Sequence, residues 1–390
     1  MMEGKLREQL DIWLKQEVVQ PSSSPWHFPL IAVPKKNGKT RWVIDYRRLN
    51  EITIKDSFPL PNIEDNLARL ADSQIFSGID GASAFHVIPN RKEDQPKTAF
   101  STPWGLFEFA CTPFGLCNAP ATYSRLVQKV LEDIPASMAL PYLDNTCIHS
   151  KTFEDHIEIL GTVFEAHCRA GLTLQPDKCQ LFRTSIEYLG HVISAQGIAP
   201  LPSHQEAVNN WEFPTNVTQM WAFLGKTNYY RKFIQQYSSM AGILSETIKG
   251  SPKKNQLISP TEKMMAAFRK LKQALLEAPI LAYPQFYTNE PFILDTNWSK
   301  DKNCIDAVLS QVQNGLERVI LFGAKKLNTA QSNYSSNKGE IFAAIHFMQQ
   351  WRYYLTRRKF ILRTDHRTLK WIKTMEEPQG MILRLSLIHI

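Results

Sequence analysis

Asp80 closes the apolar segment QIFSGID, and Asp144 stands beside Asn145 at the centre of MALPYLDNTCIHS. Acids of this kind, brought together on neighbouring strands, make a hard anionic oxygen site suited to Mg²⁺. Two such ions about 4 Å apart can activate a hydroxyl nucleophile and neutralise a phosphate leaving group. The plain alternative for any single Asp at a strand end is a turn former, so the chemistry depends on what surrounds the acids. A second set lies further along: Asp295 ends PFILD, Glu340 comes early in GEIFAAIHFMQQW and Asp365 ends KFILRTD. Three acids carried by two strands and a helix can meet at one end of a sheet. Their plain alternative is two turn acids and one solvated helix face.

The elements that must position these acids can be read from periodicity and punctuation. Residues 1–20 have amphipathic helical spacing, which Pro21-Ser22-Ser23-Ser24-Pro25 stops. FPLIAV and RWVIDY are strands joined through Lys35-Lys36-Asn37-Gly38-Lys39, a hairpin with a basic tip. Short strands and Pro/Gly turns fill 58–110, helix follows from Pro120 through LVQKVLEDI, and MALPYL with TCIHS forms a second hairpin. This mixture predicts an α+β domain rather than a doubly wound one. From about residue 204 the apolar spacing turns helical, with Lys249–Asn255 as the linker candidate. After Pro284 the order strand, strand, strand, helix, strand describes a second, α/β unit.

Composition sets the outer bounds. A chain of 390 residues is long enough for two or three domains, and 43% hydrophobic residues make it globular rather than disordered. Forty-five Lys and Arg against 37 Asp and Glu give net +8, which suits a polyanionic partner and equally suits a slightly basic enzyme. The six cysteines form no Cys-x-x-Cys pair or His-Cys zinc pattern, and read as reduced, mostly buried thiols. No apolar run approaches the roughly 20 residues that span a bilayer, and the N-terminus has no signal-peptide core. An intracellular protein with no membrane partner is expected.

Five segments recur in a fixed order: FSGIDGASAFHVIP, CTPFGLCNAPATY, PYLDN, GLTLQPDKC and EYLGHVIS. On these the chain resembles the reverse transcriptases of gypsy-class LTR retrotransposons, over nearly its whole length. PSSSPWHFPLIAVPKKNGKTRWVIDYRRLN is similar to the family's fingers, and QMWAFLGKTNYYRKFI to its thumb or connection helices. The later acids, with AVLSQ, WRYYL and TDHRTLKWI, resemble the RNase H domain that follows such polymerases.

The resemblance implies a right-hand polymerase followed by an RNase H-like domain. Fingers and palm would occupy 1–203, a helical thumb or connection 204–278, and the RNase H-like unit 279–390. It implies RNA-directed DNA polymerisation, with a primed RNA or DNA template, dNTPs and an RNA–DNA hybrid as partners. A cytoplasmic place, including virus-like particles, goes with it. Asp80 and Asp144 would hold Mg²⁺, with Mn²⁺ as the alternative ion. Arg41 and one of Lys35 or Lys36 would clasp the triphosphate, as cation-to-phosphate pairing makes sensible. Phe85, five residues beyond Asp80, would block a ribonucleotide 2′-hydroxyl. Phe114 and Gly115 would lie beside nucleotide and template. Tyr188, Leu189, Gly190 and His191 would form the primer-grip hairpin, and Lys178 would offer a proton to pyrophosphate. Asp295, Glu340 and Asp365 would hold the metals of RNA hydrolysis. Tyr229 and Tyr230 are expected in the core of the thumb helix rather than against nucleic acid.

Three departures from the family pattern stand out. Tyr142-Leu143-Asp144-Asn145 carries an amide where the family has a second acid, removing a negative charge where dications must crowd. A weakened polymerase preferring Mn²⁺, or at the extreme a nucleic-acid-binding remnant, is the expectation. Asp306 replaces the Gly before AVLSQ, where it would strain a tight turn or disturb local charge. GMILRLSLIHI holds no carboxylate, so the RNase H-like domain is expected to be truncated, without its fourth acid.

Overall fold

The computed structural model describes residues 2–34, 40–135, 137–250 and 253–364. Lys35, Lys36 and Asp365 lie outside the described residues. Strands and helices divide into two compact units, Met1–Ile186 and Glu187–Ile390, with the division inside the strand Ser185–Tyr188.

In the first unit a four-stranded sheet runs in the order Ala139–Tyr142, Asn145–Ser150, Ile75–Asp80, Gln180–Arg183. Its central pair is antiparallel and in register from Ile75 opposite Ser150 to Asp80 opposite Asn145. The helices Ala119–Val130 and Phe153–Arg169 cover it, burying Tyr123, Val127, Ile159, Leu160 and Val163 against Ile79 and Ile148. Each such large side chain, fully buried, contributes roughly 1.5–3 kcal/mol. Thr152 starts the second helix by accepting from the Asp155 N–H, with Glu154 and Asp155 in its first turn. On the sheet's inner side Ser77 and Ser150 hydroxyls hold His156 through both ring nitrogens at 2.7 and 2.9 Å.

A separate core of Leu10, Trp13, Val19, Phe28, Tyr46, Phe100 and Phe109 ties the N-terminal helix Met2–Lys15 to a three-stranded sheet, in the order Val19–Pro21, Gly105–Phe109, Phe100–Thr102, and to the paired strands Leu30–Pro34 and Thr40–Ile44. The expected first helix therefore ends five residues early, and Val19–Pro21 joins a sheet instead, pairing with Phe107–Phe109. A β-branched valine followed by Gln and Pro fits an edge strand better than a helix end.

The second unit holds the three-stranded sheet Ser185–Tyr188, His191–Ser194, Gly197–Pro200, a group of helices, and a four-stranded sheet. The four-stranded sheet runs Leu316–Lys326, Cys304–Gln313, Phe292–Ser299, Phe360–Arg363, antiparallel except for the last strand. Helix Ser336–Gln350 packs on one face, with Ile341, Ala344 and Phe347 against Leu294, Trp298 and Leu309. Asp306 lies mid-strand, opposite Asn297 on one side and Ala324 on the other. The tight turn expected there is absent, so its cost is burial of a carboxyl rather than backbone strain.

Candidate active site

The strand Ile75–Asp80 ends with a mostly buried carboxylate, where Asp80 pairs with Asn145 at the mouth of the neighbouring hairpin. Tyr142 faces Asn145 across that hairpin, leaving Leu143 and Asp144 as a two-residue turn. Leu143 takes φ 54, a left-handed value that a bulky side chain adopts only when its surroundings impose it. The Gly81 N–H donates to the Asp144 carbonyl at 2.8 Å, and the Gln175 N–H to the Asp80 carbonyl at 2.9 Å. Backbone pairing thus fixes both acids at one end of one sheet. Lys178 reaches Asp80 directly, Nζ to Oδ1 at 3.0 Å. Asn145 Nδ2 lies 3.4 Å from Asp144 Oδ1, a long and weak contact.

Tyr123 was missed in the sequence, although its segment CTPFGLCNAPATY was not. Its hydroxyl would lie 2.8 Å from a Cβ built at Gly81, whose bare Cα makes room for it. Burial pushes that hydroxyl up to about 12, and the charges of Asp144 and Asp80 push it the same way. The phenol therefore stays protonated beside both acids. Its ring meets Phe85 edge-on at 5.8 Å, Phe85 meets Phe114 at 4.9 Å, and the Arg41 guanidinium lies 4.7 Å over Phe114. Three residues expected at a nucleotide site thus form one continuous row leading to the carboxylates. Gly115 sits at φ 103 with a Cβ position 3.3 Å from the Ile44 carbonyl, so only glycine fits. Asn50, also unforeseen, pins that loop by donating to the Gly115 carbonyl and accepting from the Cys117 N–H, both at 2.8 Å.

In the second unit, Leu189 and Gly190 turn the chain between two strands with φ 47 and 68, the paired positive values of a tight hairpin. Tyr188 and His191, on either side, are buried. His191 is pushed down to about 3, mainly by burial and next by Lys232, so its ring is neutral. Tyr230 is buried as expected, but Tyr229 is 41% exposed. Both donate hydroxyls to this hairpin rather than serving as filler.

Asp295 and Glu340 do not share a face of the sheet. Leu294 and Trp298 point into the core shared with helix Ser336–Gln350, so strand alternation sends Asp295 to the opposite face. There Arg363, its register partner, binds both Asp295 oxygens at 2.7 Å and also Glu317 at 2.9 Å. Glu340 is 4% exposed on the core side and accepts the Trp298 N–H at 3.1 Å. Asp306 is buried on the Asp295 face beside Cys304, 3.4 Å away, and burial raises its carboxyl above the usual range. Among the described residues, no group of three or more His, Cys, Asp or Glu side chains is gathered to hold a metal ion.

Residues 33–193 match the family model described as reverse transcriptase (RNA-dependent DNA polymerase). Residues 287–388 match that of the RNase H-like domain found in reverse transcriptase. The retrovirus-related Pol polyprotein from transposon 297 of Drosophila melanogaster is 37% identical over 387 residues, 98% of this chain and 36% of the relative. The corresponding polyprotein from transposon opus of the same fly is 36% identical over 384 residues, 94% of this chain and 38% of the relative. The transposon Tf2-7 polyprotein of Schizosaccharomyces pombe is 32% identical over 367 residues, covering 93% and 27%. The chain thus spans about a third of the length of these curated relatives. Among solved structures, the foamy viral protease-reverse transcriptase in complex with dsDNA matches with TM-score 0.84 and 21% identity, over 99% of this chain and 80% of that one. The same protein's complex with an RNA/DNA hybrid gives TM-score 0.78 and 20% identity, over 100% and 52%. At these identities the likeness is one of fold.

Proposed function

We propose that this chain, which belongs to the reverse transcriptases carrying an RNase H-like domain in retrotransposon Pol polyproteins, extends a primer with dNTPs on an RNA or DNA template. The observation that carries the reading is the pairing of Asp80 with Asn145, which sets Asp80 and Asp144 at one end of one sheet. Domains of these two kinds are generally divalent-metal dependent. The donor set fits such an ion: two carboxylates supply hard anionic oxygens, and the Asn145 amide adds a weaker neutral one. Asp80 and Asp144 would hold Mg²⁺, with Mn²⁺ as the alternative, and the bound ions would supply charge neutralisation at the reacting phosphate.

The chain's own groups account for the rest of the proposed reaction. Arg41, together with Lys35 or Lys36, would bind the triphosphate. The Phe85 ring, wedged between Phe114 and Tyr123, would close the space beneath the sugar. Lys178, already at the Asp80 carboxylate, could carry a proton to the departing pyrophosphate. Residues 1–203 would serve as fingers and palm, 204–278 as thumb, and 279–390 as the RNase H-like unit. The compact units divide earlier, at Ile186/Glu187, so the hairpin of Tyr188, Leu189, Gly190 and His191 goes with the second. In the RNase H-like unit, Asp295, Glu340 and Asp365 remain the proposed metal ligands for cutting the RNA of a hybrid. That activity would be weak, because Arg363 must first release Asp295. Among the described residues no helix is long and apolar enough to cross a membrane.

The deciding experiment is primer extension on an RNA template with dNTPs, in Mg²⁺ and in Mn²⁺, with Asp144→Ala as the blank. Extension above the blank is expected in at least one metal. A protein that binds the primed template yet extends nothing in either would replace this reading with that of a nucleic-acid-binding remnant.

A further inference from the structure

The hairpin turn at Leu189-Gly190 exposes two consecutive carbonyl groups that no strand partner can satisfy. The Tyr229 hydroxyl donates to the Leu189 carbonyl at 2.6 Å, and the Tyr230 hydroxyl to the Gly190 carbonyl at 2.6 Å. Both tyrosines come from the end of helix Val217–Tyr229, so two bonds from adjacent residues grip adjacent peptides. The bonds are supported from behind. His191 Nδ1 lies 2.7 Å from the Leu189 carbonyl, and because the ring is neutral and the partner is an acceptor, Nδ1 carries the proton. His204 Nδ1 lies 2.5 Å from the Tyr230 hydroxyl; that hydroxyl spends its proton on Gly190, so His204 is the donor. The His191 ring is packed by Tyr229, Tyr230 and Phe233 at 5.5 to 5.7 Å. At the buried Tyr230, core packing alone would ask for phenylalanine, since a buried hydroxyl without a partner is a cost.

We infer that Tyr229 and Tyr230 are positioning residues that clamp the hairpin of residues 188–191 to helix Val217–Tyr229, so that hairpin and helix move as one body. The hairpin's task of holding a primer strand rests on the polymerase reading; the clamp itself does not. Two hydroxyls on two peptides leave the turn no free rotation about its strands, whereas one bond would leave a hinge. Because in-line attack tolerates little displacement, loosening the clamp acts on turnover more than on nucleotide binding.

The test compares the full chain with Tyr229→Phe, Tyr230→Phe and the double variant, each retaining its ring. Hydrogen–deuterium exchange should be faster through the strands flanking the hairpin in the double variant, with the remainder of the chain unchanged. In primer extension, turnover should fall about tenfold or more while the dNTP KM stays within about twofold, since a displaced primer end costs rate rather than nucleotide affinity. Unchanged exchange in the double variant overturns the clamp, whether or not the wild type polymerises. Faster exchange with turnover unchanged overturns its positioning role. If the wild type extends no primer at all, the polymerase reading fails separately and exchange alone decides the clamp. Should the double variant melt, Tyr229→Phe, altering the exposed ring, is read by the same two measurements.

Discussion

Lys178 Nζ lies 3.0 Å from Asp80 Oδ1, joining a lysine whose side chain is 55% exposed to a carboxylate that is 13% exposed. The lysine occupies a lone pair that a divalent cation would need, so the two cations compete for one acid. The lysine end of the pair is largely in solvent, where screening keeps an ion pair to about 1 kcal/mol, so it can open to admit a cation. Lys178→Met should therefore lower the metal concentration for half-maximal extension by about threefold. If the lysine also carries a proton to pyrophosphate, turnover at saturating metal should drop about 100-fold. A titration of activity against Mg²⁺ reads both effects, and an unchanged midpoint would count against the competition.

Asn145 stands opposite Asp80 in the strand register, the place where a third carboxylate would join the pair. An amide is close in shape but neutral, so the site lacks one unit of charge where cations must crowd. Asn145→Asp should raise Mg²⁺-dependent extension by about tenfold and Mn²⁺-dependent extension by less. Equal Mg²⁺ activity in the two proteins would show that the amide limits nothing.

Phe85 is wedged between Phe114 and Tyr123, so its ring cannot swing aside without disturbing both neighbours. A rigid ring can exclude a hydroxyl; a mobile one cannot. Phe85→Ala should raise the ratio of rNTP to dNTP kcat/KM by about 100-fold, a difference of about 2.7 kcal/mol. The comparison requires both substrates on one template. An unaltered ratio would remove Phe85 from the sugar site.

Asp306 gives a pH-dependent cost with a defined sign. Burial raises its folded-state pKa above the ordinary value of 3.8, so the unfolded chain releases this proton first as pH rises. Its stabilising protonated state is fully present below that ordinary value and is lost as pH climbs through the folded one. Asp306→Asn should thus stabilise the second unit at pH 7, and do so by clearly less near pH 4. Buried His149, pushed down to about 4 by burial and by His156, acts in the opposite sense in both proteins. Its contribution is full above 6.5 and falls away in acid, so it cancels from the comparison. Urea midpoints at the two pH values test this, and an equal gain at both would refute the assignment to ionisation.

Primed template should be held mainly through phosphate contacts, each releasing counterions. Affinity should then fall by about a thousandfold between about 50 and 200 mM salt if six or more phosphates are neutralised. Filter binding or anisotropy across that range gives the slope. A flat profile would leave the chain without a polyanion groove.

Most of the order of strands and helices, and the place of Asp80, Asp144 and Asn145 at a strand end and a hairpin turn, could be read along the chain; Tyr123, Asn50 and the division at Ile186/Glu187 could not. The sequence by itself sufficed for the former because strand periodicity and turn residues are local, and because Asp80 and Asp144 each sit where a strand meets a turn. Asn145 was legible as a missing charge for the same reason. Distances between remote segments were not legible. The Lys178–Asp80 pair spans 98 residues, and the Tyr229 and Tyr230 bonds each span 40. Tyr123 is an ordinary core aromatic until Gly81 brings the strand end within reach of its hydroxyl. Asp295 and Glu340 read as partners along the chain, yet strand alternation puts them on opposite faces and gives Asp295 to Arg363. Side-chain type and spacing decide what a residue can do. Register and the face on which it lands, set only when strands pair and helices pack, decide which partner it does it with.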